Sequence, residues 1–294
     1  MIIKVPATSA NLGPGFDSLG LAIGLYNEVH IKRSSYNSIS IKNEGATNKR
    51  LKKNNLFVSI FNDIYRELAN KKDTFRFEFV NHIPFSRGLG SSSAVIVSAI
   101  ASAYEMADIK ASKKIVLNRA LFYEPHPDNI APAVYGGFVS SVVENAEVYT
   151  LKKEIPDSLR AVMVIPDTPM STAKSRTQLS KHFSMECVVH NISRASLLSS
   201  AFFSEKWDLL RVASEDCLHQ DRRMKAMPEL KMVQKIALDN GALMSTLSGS
   251  GSSFFTLCFE KDAQKIQNLL RDKFDAFRVE TFMLDNSGYV IEKE

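Results

Sequence analysis

The sequence predicts an α+β protein made of two packed units, each a layer of helices against a sheet. Three observations carry that expectation. The stretch "TFRFEFVN" alternates strictly, with Phe75, Phe77 and Phe79 on one face and Arg76 and Glu78 on the other, the period of a half-buried strand. Directly after it, Ser91 to Met106 is rich in Ala, Val and Ile around most of its circumference, as a buried helix is. Later in the chain the order strand, helix, strand, strand, helix, strand is the split βαβ pattern of ferredoxin-like folds. The 294 residues also suit two units at about 100–200 residues each. The division expected is 1–157 and 158–294.

In chain order, "MIIKVP" has strand character and stops at Pro6, and the polar "ATSANLGPGFD" is a loop. "SLGLAIGLYNEVHIKR" resumes as strand, and the alternating segment then runs into "PFSRGLGSSSA" and the buried helix. The second unit opens on the strand "RAVMVIP", with helices and short breaks to about residue 226. "PELKMVQKIALDNG" carries Pro as a first helical residue and Asn-Gly as a stop. "ALMSTLS" and "SFFTLCFE" are strands joined by "GSGS", "KDAQKIQNLLRDKF" is an amphipathic helix and "AFRVETFML" a closing strand. No long linker separates the units, so a ligand cleft between them is expected.

Lys and Arg exceed Asp and Glu by 37 to 32, a net +5 spread over a large chain. That gives no basic patch for nucleic acid, though an anionic small substrate suits it. Cys187, Cys217 and Cys258 are odd in number and far apart, which argues against a disulfide framework and points to ordinary core thiols. No segment approaches 18 uninterrupted apolar residues, so no membrane partner is expected and a cytoplasmic place is the default.

"GLGSSSA" at Gly88–Ala94 admits two readings: a turn that caps a helix, or a cradle for phosphate on a helix N-terminus. It has neither the spacing of a Walker A loop nor the G-x-S-x-G of a hydrolase elbow. Two further glycine-rich loops, Pro6–Gly20 and Thr246–Phe255, and the segment "YEPHPDNIAPAVYGG" make turns alone an insufficient explanation.

Together "VPATSANLGPGFDSLG", "PFSRGLGSSSA", "EPHPDNIAPAVYGG", "STAKSR" and "LSGSGSS" resemble the GHMP kinase superfamily over nearly the whole chain. The resemblance implies a ribosomal-protein-like N-terminal α+β domain, a ferredoxin-like C-terminal domain, and transfer of a phosphoryl group from ATP, with Mg²⁺, to a small-molecule alcohol. The N-terminal motif and "HPDN" are closest to the branch whose acceptor is L-homoserine, a step toward threonine. A mevalonate-type acceptor and a catalytically silent binding protein are the alternatives, and a homodimer is left open.

Residue by residue, the resemblance puts ATP on Pro84, Phe85, Ser86, Arg87, Gly88, Leu89, Gly90, Ser91, Ser92, Ser93 and Ala94, with Asn55 near the adenine. It gives Mg²⁺ to Ser92 and Glu124, hard oxygen donors of the kind that ion takes. Arg176 and Arg223 would hold the substrate carboxylate, Asp128 its ammonium with His126 beside it, and Asn11 and Asp17 its hydroxyl. Asn129 and Thr172 match polar residues near the phosphates and the substrate. The bland readings are a helix cap for Ser92, a solvated helix end for Glu124 and a turn for "HPDN".

An ordinary carboxylate near ~3.9 and an alcohol near ~15.7 differ by about twelve pKa units, or ~16 kcal/mol. Full deprotonation before transfer is therefore excluded, and Asp17 is expected to orient the hydroxyl first and accept its proton late. Pro125 stands where many superfamily members have Gly, Ser252-Ser253 replaces a frequent Pro-Thr, and Arg222 beside Arg223 is an unusual neighbour. His30, His82, His182, His190 and His219 have no metal-ligand spacing and are read as surface or hydrogen-bonded residues, and Trp207 as a packing anchor.

Overall fold

The computed structural model describes residues 1–177 and 179–293, and the side chains of residues 172–174 also lie outside what is described. In chain order the strands are β1 (Ile2–Ala10), β2 (Leu19–Arg33), β3 (Ser38–Asn43), β4 (Phe75–Asn81), β5 (Phe138–Glu144), β6 (Glu147–Lys153), β7 (Leu159–Ile165), β8 (Met244–Leu247), β9 (Phe254–Phe259), β10 (Arg278–Phe282) and β11 (Val290–Glu292).

Seven strands form the first sheet, in the order β11-β1-β2-β4-β3, with β5 and β6 continuing from β2. At 15 residues β2 is long enough to serve two neighbours on one edge: Leu19–Leu21 pair with β5 and Glu28–Arg33 with β4. The alternation in β4 is realised, with Phe75, Phe77 and Phe79 buried and Arg76 exposed. These rings meet Phe57 and Phe61 of the helix Leu56–Ala69 edge-on, at centroid distances of 5.0 to 5.7 Å. Edge-to-face packing of this kind adds to the burial of the rings themselves. Asn55 caps that helix by accepting from the Val58 N–H at 3.2 Å.

The helix Ser91–Met106 packs beside the helix Leu56–Ala69 and against β1, with Ala94, Ile96, Val97, Ala99, Ile100 and Ala103 buried. Its N-cap is Gly90, which makes no side-chain cap. The serines after Gly90 therefore do not cap it, and the reading of this loop as a simple capped turn loses its support.

The second sheet has the order β10-β7-β9-β8, all antiparallel. Numbered within the unit this is 4-1-3-2, the ferredoxin-like arrangement expected from the element order. Helices Glu229–Asp239 and Glu260–Lys273 cover it with Leu230, Val233, Ala237, Ala263, Ile266 and Leu270. Trp207 packs edge-on against Phe202 at 5.8 Å, as an anchor.

Three expectations need correction. Pro228 is the N-cap of its helix rather than the first helical residue. Residues 290–292, grouped on sequence with the second unit, pair with β1 of the first sheet; a three-residue edge strand is too short to announce its partner. Cys187 and Cys217 are joined as a disulfide with Cα atoms 5.6 Å apart, leaving Cys258 as the buried free thiol. Their separation of 30 residues concealed a proximity that only the fold creates. Among the described residues no helix is long and apolar enough to cross a membrane.

Candidate active site

The three glycine-rich loops meet. Loop one follows β1 and passes through left-handed backbone at Asn11, Leu12 and Asp17, conformations that persist only where neighbours enforce them. Loop two, before the buried helix, lies on loop three: a Cβ at Gly88 would stand 2.1 Å from Ser248 O, and one at Gly90 would stand 1.9 Å from Thr8 Oγ1. Loop three is held between them, with the Gly249 N–H donating to Ala10 O and the Ser253 N–H to Arg87 O, both at 3.0 Å.

Around this junction lies a cavity of about 330 Å³, lined from loop one by Asn11 and Asp17, from loop two by Pro84, Ser86 and the run from Arg87 to Ser93, and from the "HPDN" segment by Glu124, His126, Asp128 and Asn129. Arg176, Arg223, Gly249 and Ser250 close it from the second unit. Phe85 and Asn55 line instead an adjoining, mostly apolar recess of about 230 Å³ with Ile41, Leu51, Phe57, Phe79 and Val95; Ser86, Ser91 and Ser92 border both spaces. Ala94 lines neither: it is 1% exposed beneath the helix start. The side chain of Thr172 lies outside the described residues.

Inside the cavity two of the charged groups, Asp17 and Arg176, are paired. Asp17 accepts from both terminal nitrogens of Arg176, at 2.7 and 2.9 Å, a bidentate contact. That pairing, together with Asp128 and Glu124 nearby, outweighs burial and raises the Arg176 pKa further. Asn11 is committed to the loops: its Nδ2 donates to Gly249 O and its Oδ1 accepts from the Asp17 N–H, each at 3.0 Å. These bonds fix the backbone at Asp17 and join loop one to loop three. Thr8 Oγ1 donates to Asn129 Oδ1 at 2.7 Å, tying "HPDN" to the strand before loop one. His126 Nδ1 contacts Glu124 Oε1 at 2.8 Å.

Asp128 lies in the first turn of the helix Pro127–Tyr135 and is 4% exposed. Burial, followed by the negative charges of Asp17 and Glu124, pushes its carboxyl up to about 7. Arg223 is 2% exposed; burial and then the like charge of Arg176 push its guanidinium down to about 10. Both guanidinium groups lie over the Phe16 ring, at 5.2 and 5.3 Å from its centroid. Arg222 points elsewhere, over Phe183 at 5.6 Å, so Arg223 is the one that reaches the cavity.

Ser92 is exposed at the start of its helix, and its hydroxyl shares the cavity with the half-buried Glu124 carboxylate. Among the described residues no cluster of three or more His, Cys, Asp or Glu could hold a metal. One hydroxyl and one carboxylate beside an anion cradle suit Mg²⁺, which keeps phosphate oxygens and waters as its remaining ligands.

Sequence reasoning did not single out Phe16, Met170, Gly249, Ser250 or His219 in this site, nor the apolar wall of the recess. Gly249 and Ser250 sit in one of the glycine-rich motifs, so the signal for them was present. Phe57 and Phe79 read as core from their periodicity, and nothing in a linear pattern shows that core side chains also face a recess.

Matches to both halves of one superfamily define the class. The sequence pattern of the GHMP kinases N terminal domain matches residues 55–137, and that of the GHMP kinases C terminal domain matches residues 198–276. Within that class the chain belongs to the homoserine kinase family. It is 64% identical, over 100% of both chains, to the homoserine kinase of a Nitratiruptor species, and 58% identical over 99% of both to that of Campylobacter concisus. Its fold superposes on the crystal structure of homoserine kinase from Cytophaga hutchinsonii with a TM-score of 0.88 at 29% identity, covering 99% of this chain and 96% of that one. The mevalonate kinase of Methanococcus jannaschii shares the fold, with a TM-score of 0.74 at 15% identity over 97% and 98% of the two chains.

Proposed function

We propose that the chain transfers the γ-phosphoryl group of ATP to the side-chain hydroxyl of L-homoserine, giving O-phospho-L-homoserine and ADP in the cytoplasm. The observation that carries the reading is the charge arrangement of one cavity. An uncapped helix N-terminus, Arg176, Arg223 and the buried Asp128 all line the same cavity. A zwitterionic amino acid needs both signs at fixed places, whereas mevalonate carries no ammonium for Asp128.

The triphosphate would lie along Gly88–Ser93, where backbone N–H groups and the helix dipole favour anions. The adenine would enter the apolar recess beside Asn55 and Phe85. Mg²⁺, on Ser92 and Glu124, supplies neutralisation of phosphate charge when bound. Arg176 and Arg223 would take the substrate carboxylate, and Asp128 with His126 the ammonium.

In the transfer the bond from the γ-phosphorus to its bridging oxygen breaks as the bond to the homoserine oxygen forms, and the hydroxyl proton leaves late. Asp17 already accepts two N–H groups from Arg176. Such a carboxylate would orient a hydroxyl and receive the proton as charge builds, with positioning doing most of the work. Because Arg176 holds Asp17, it couples carboxylate recognition to the group beside the reacting oxygen.

The test is ATP consumption in the presence of Mg²⁺ with homoserine, mevalonate, galactose and shikimate. Turnover of homoserine alone is expected. Turnover of mevalonate without homoserine would end the assignment, and no turnover of any would leave a silent binding protein.

A further inference from the structure

We infer that His219 is a positioning residue that fixes Arg223 for the substrate carboxylate, acting as a neutral imidazole with its proton on Nε2. The inference rests on the homoserine reading and adds to it a residue that never touches the substrate.

His219 is 1% exposed and bridges two parts of the site. Its Nε2 lies 2.8 Å from Gly13 O, so Nε2 must carry a proton to donate. Its Nδ1 lies 3.2 Å from Nη1 of Arg223, which has only protons to offer, so Nδ1 must be the acceptor. A single tautomer satisfies both contacts, and a doubly protonated ring would set a donor against a donor and a cation against a cation. The same Nη1 donates to Gly249 O at 2.9 Å. Arg223 is thus anchored through Nη1, while its Nε is buried with no partner among the described residues. The edge bearing that donor is left for a planar anion, and His219 determines which edge that is.

The surroundings keep the ring neutral. Burial lowers its pKa most, Asp216 opposes that with Oδ2 3.8 Å from Nε2, and the Arg223 cation lowers it again; the Gly13 carbonyl and Asp17 are the other groups that favour the charge. Asp216 is itself occupied, accepting N–H groups from Leu218, His219 and Gln220 and an amide proton from Asn191. The Phe16 ring stands 5.2 Å away and carries both guanidinium groups on its face. Gly13 also packs against Ser214, where an added Cβ would stand 2.2 Å from the carbonyl oxygen. Loop one is therefore seated on the segment that carries Arg223.

Two substitutions separate the bonds. In His219→Asn the amide oxygen falls near the place of Nδ1 and keeps an acceptor for Arg223. In His219→Gln the amide nitrogen reaches the place of Nε2 and keeps the bond to Gly13 only. The expected result is a homoserine KM about tenfold higher in H219Q and within about threefold of the parent in H219N, with ATP KM unchanged in both. Equal homoserine KM in the two variants, or ATP KM rising in step, would overturn the inference. A second arm needs no substrate: nitrogen NMR of the imidazole in the unmodified protein should show the Nε2–H tautomer throughout about pH 5 to 8, where a free imidazole titrates. A proton on Nδ1, or a second proton taken up in that range, would overturn it. If the unmodified protein turns over no homoserine, the substrate reading fails and the spectrum alone decides the role of His219.

Discussion

Asp17 and Arg176, 159 residues apart in the chain, are joined by two hydrogen bonds of 2.7 and 2.9 Å in the lining of the cavity. In the proposed reaction, binding and chemistry would therefore share one side chain. Arg176→Ala should raise homoserine KM by about 10- to 100-fold, the range for charge-assisted hydrogen bonds, and lower kcat because Asp17 loses its clamp. Arg176→Lys should recover the charge but not the fork, and so recover KM better than kcat. ATP KM should not move; steady-state kinetics with each substrate varied in turn decides this.

Asp128 gives the reaction a pH signature. Its carboxyl is pushed up to about 7, chiefly by burial, so it is neutral below that pH and anionic above it. Only the anion pairs with an ammonium. The kcat/KM for homoserine, which reports the free enzyme, should rise with pH through about 7 and level off above it. Asp128→Asn should lower kcat/KM and remove that rise, while the pH dependence of ATP KM stays as it was.

The same group makes stability depend on pH in the opposite direction. An unfolded Asp titrates near 3.8 and the folded Asp128 at about 7, so between those values the folded state binds the extra proton. Its stabilising contribution is complete below the unfolded value and lost as pH climbs through the folded one, at about 1.4 kcal/mol per unit of displacement. The melting temperature of Asp128→Asn relative to the parent should therefore be more favourable at about pH 8 than at about pH 5. A difference of the reverse sign would contradict the burial assigned to this carboxyl.

Gly88 and Gly90 differ in what an added methyl group meets. At Gly88 it strikes the backbone carbonyl of Ser248, which belongs to the other unit, and at Gly90 the hydroxyl of Thr8. Both have left-handed backbone, at φ +74° and +66°. Gly88→Ala should cost about 2–3 kcal/mol and Gly90→Ala about 1–2, since the Thr8 side chain can turn away by giving up its bond to Asn129 whereas a backbone carbonyl cannot. Thermal unfolding measures the cost, and ATP KM should worsen in both.

The core was legible where periodicity is local: the Phe75, Phe77, Phe79 face and the helix from Ser91 to Met106 appear as read. The second sheet was legible from element order alone. Within the site, the charged residues announced themselves by motif, yet their mutual pairing did not, because Asp17–Arg176 and Thr8–Asn129 are contacts between distant segments. His219 was passed over for the same reason, since it lacks metal-ligand spacing and its role comes from Gly13 and Arg223. Asn11 is expected from its motif to face the hydroxyl, and only the fold shows that its amide also bonds to Gly249 O and the Asp17 N–H.

Strand β11 lies along β1, with Ile2 opposite Glu292 and Lys4 opposite Val290. Synthesis runs from the first of these strands to the second, so β1 leaves the ribosome long before its outer neighbour exists. Until the whole ferredoxin-like unit has been translated, that border of the large sheet stays bare, and the nascent chain must keep it from zipping onto a stranger.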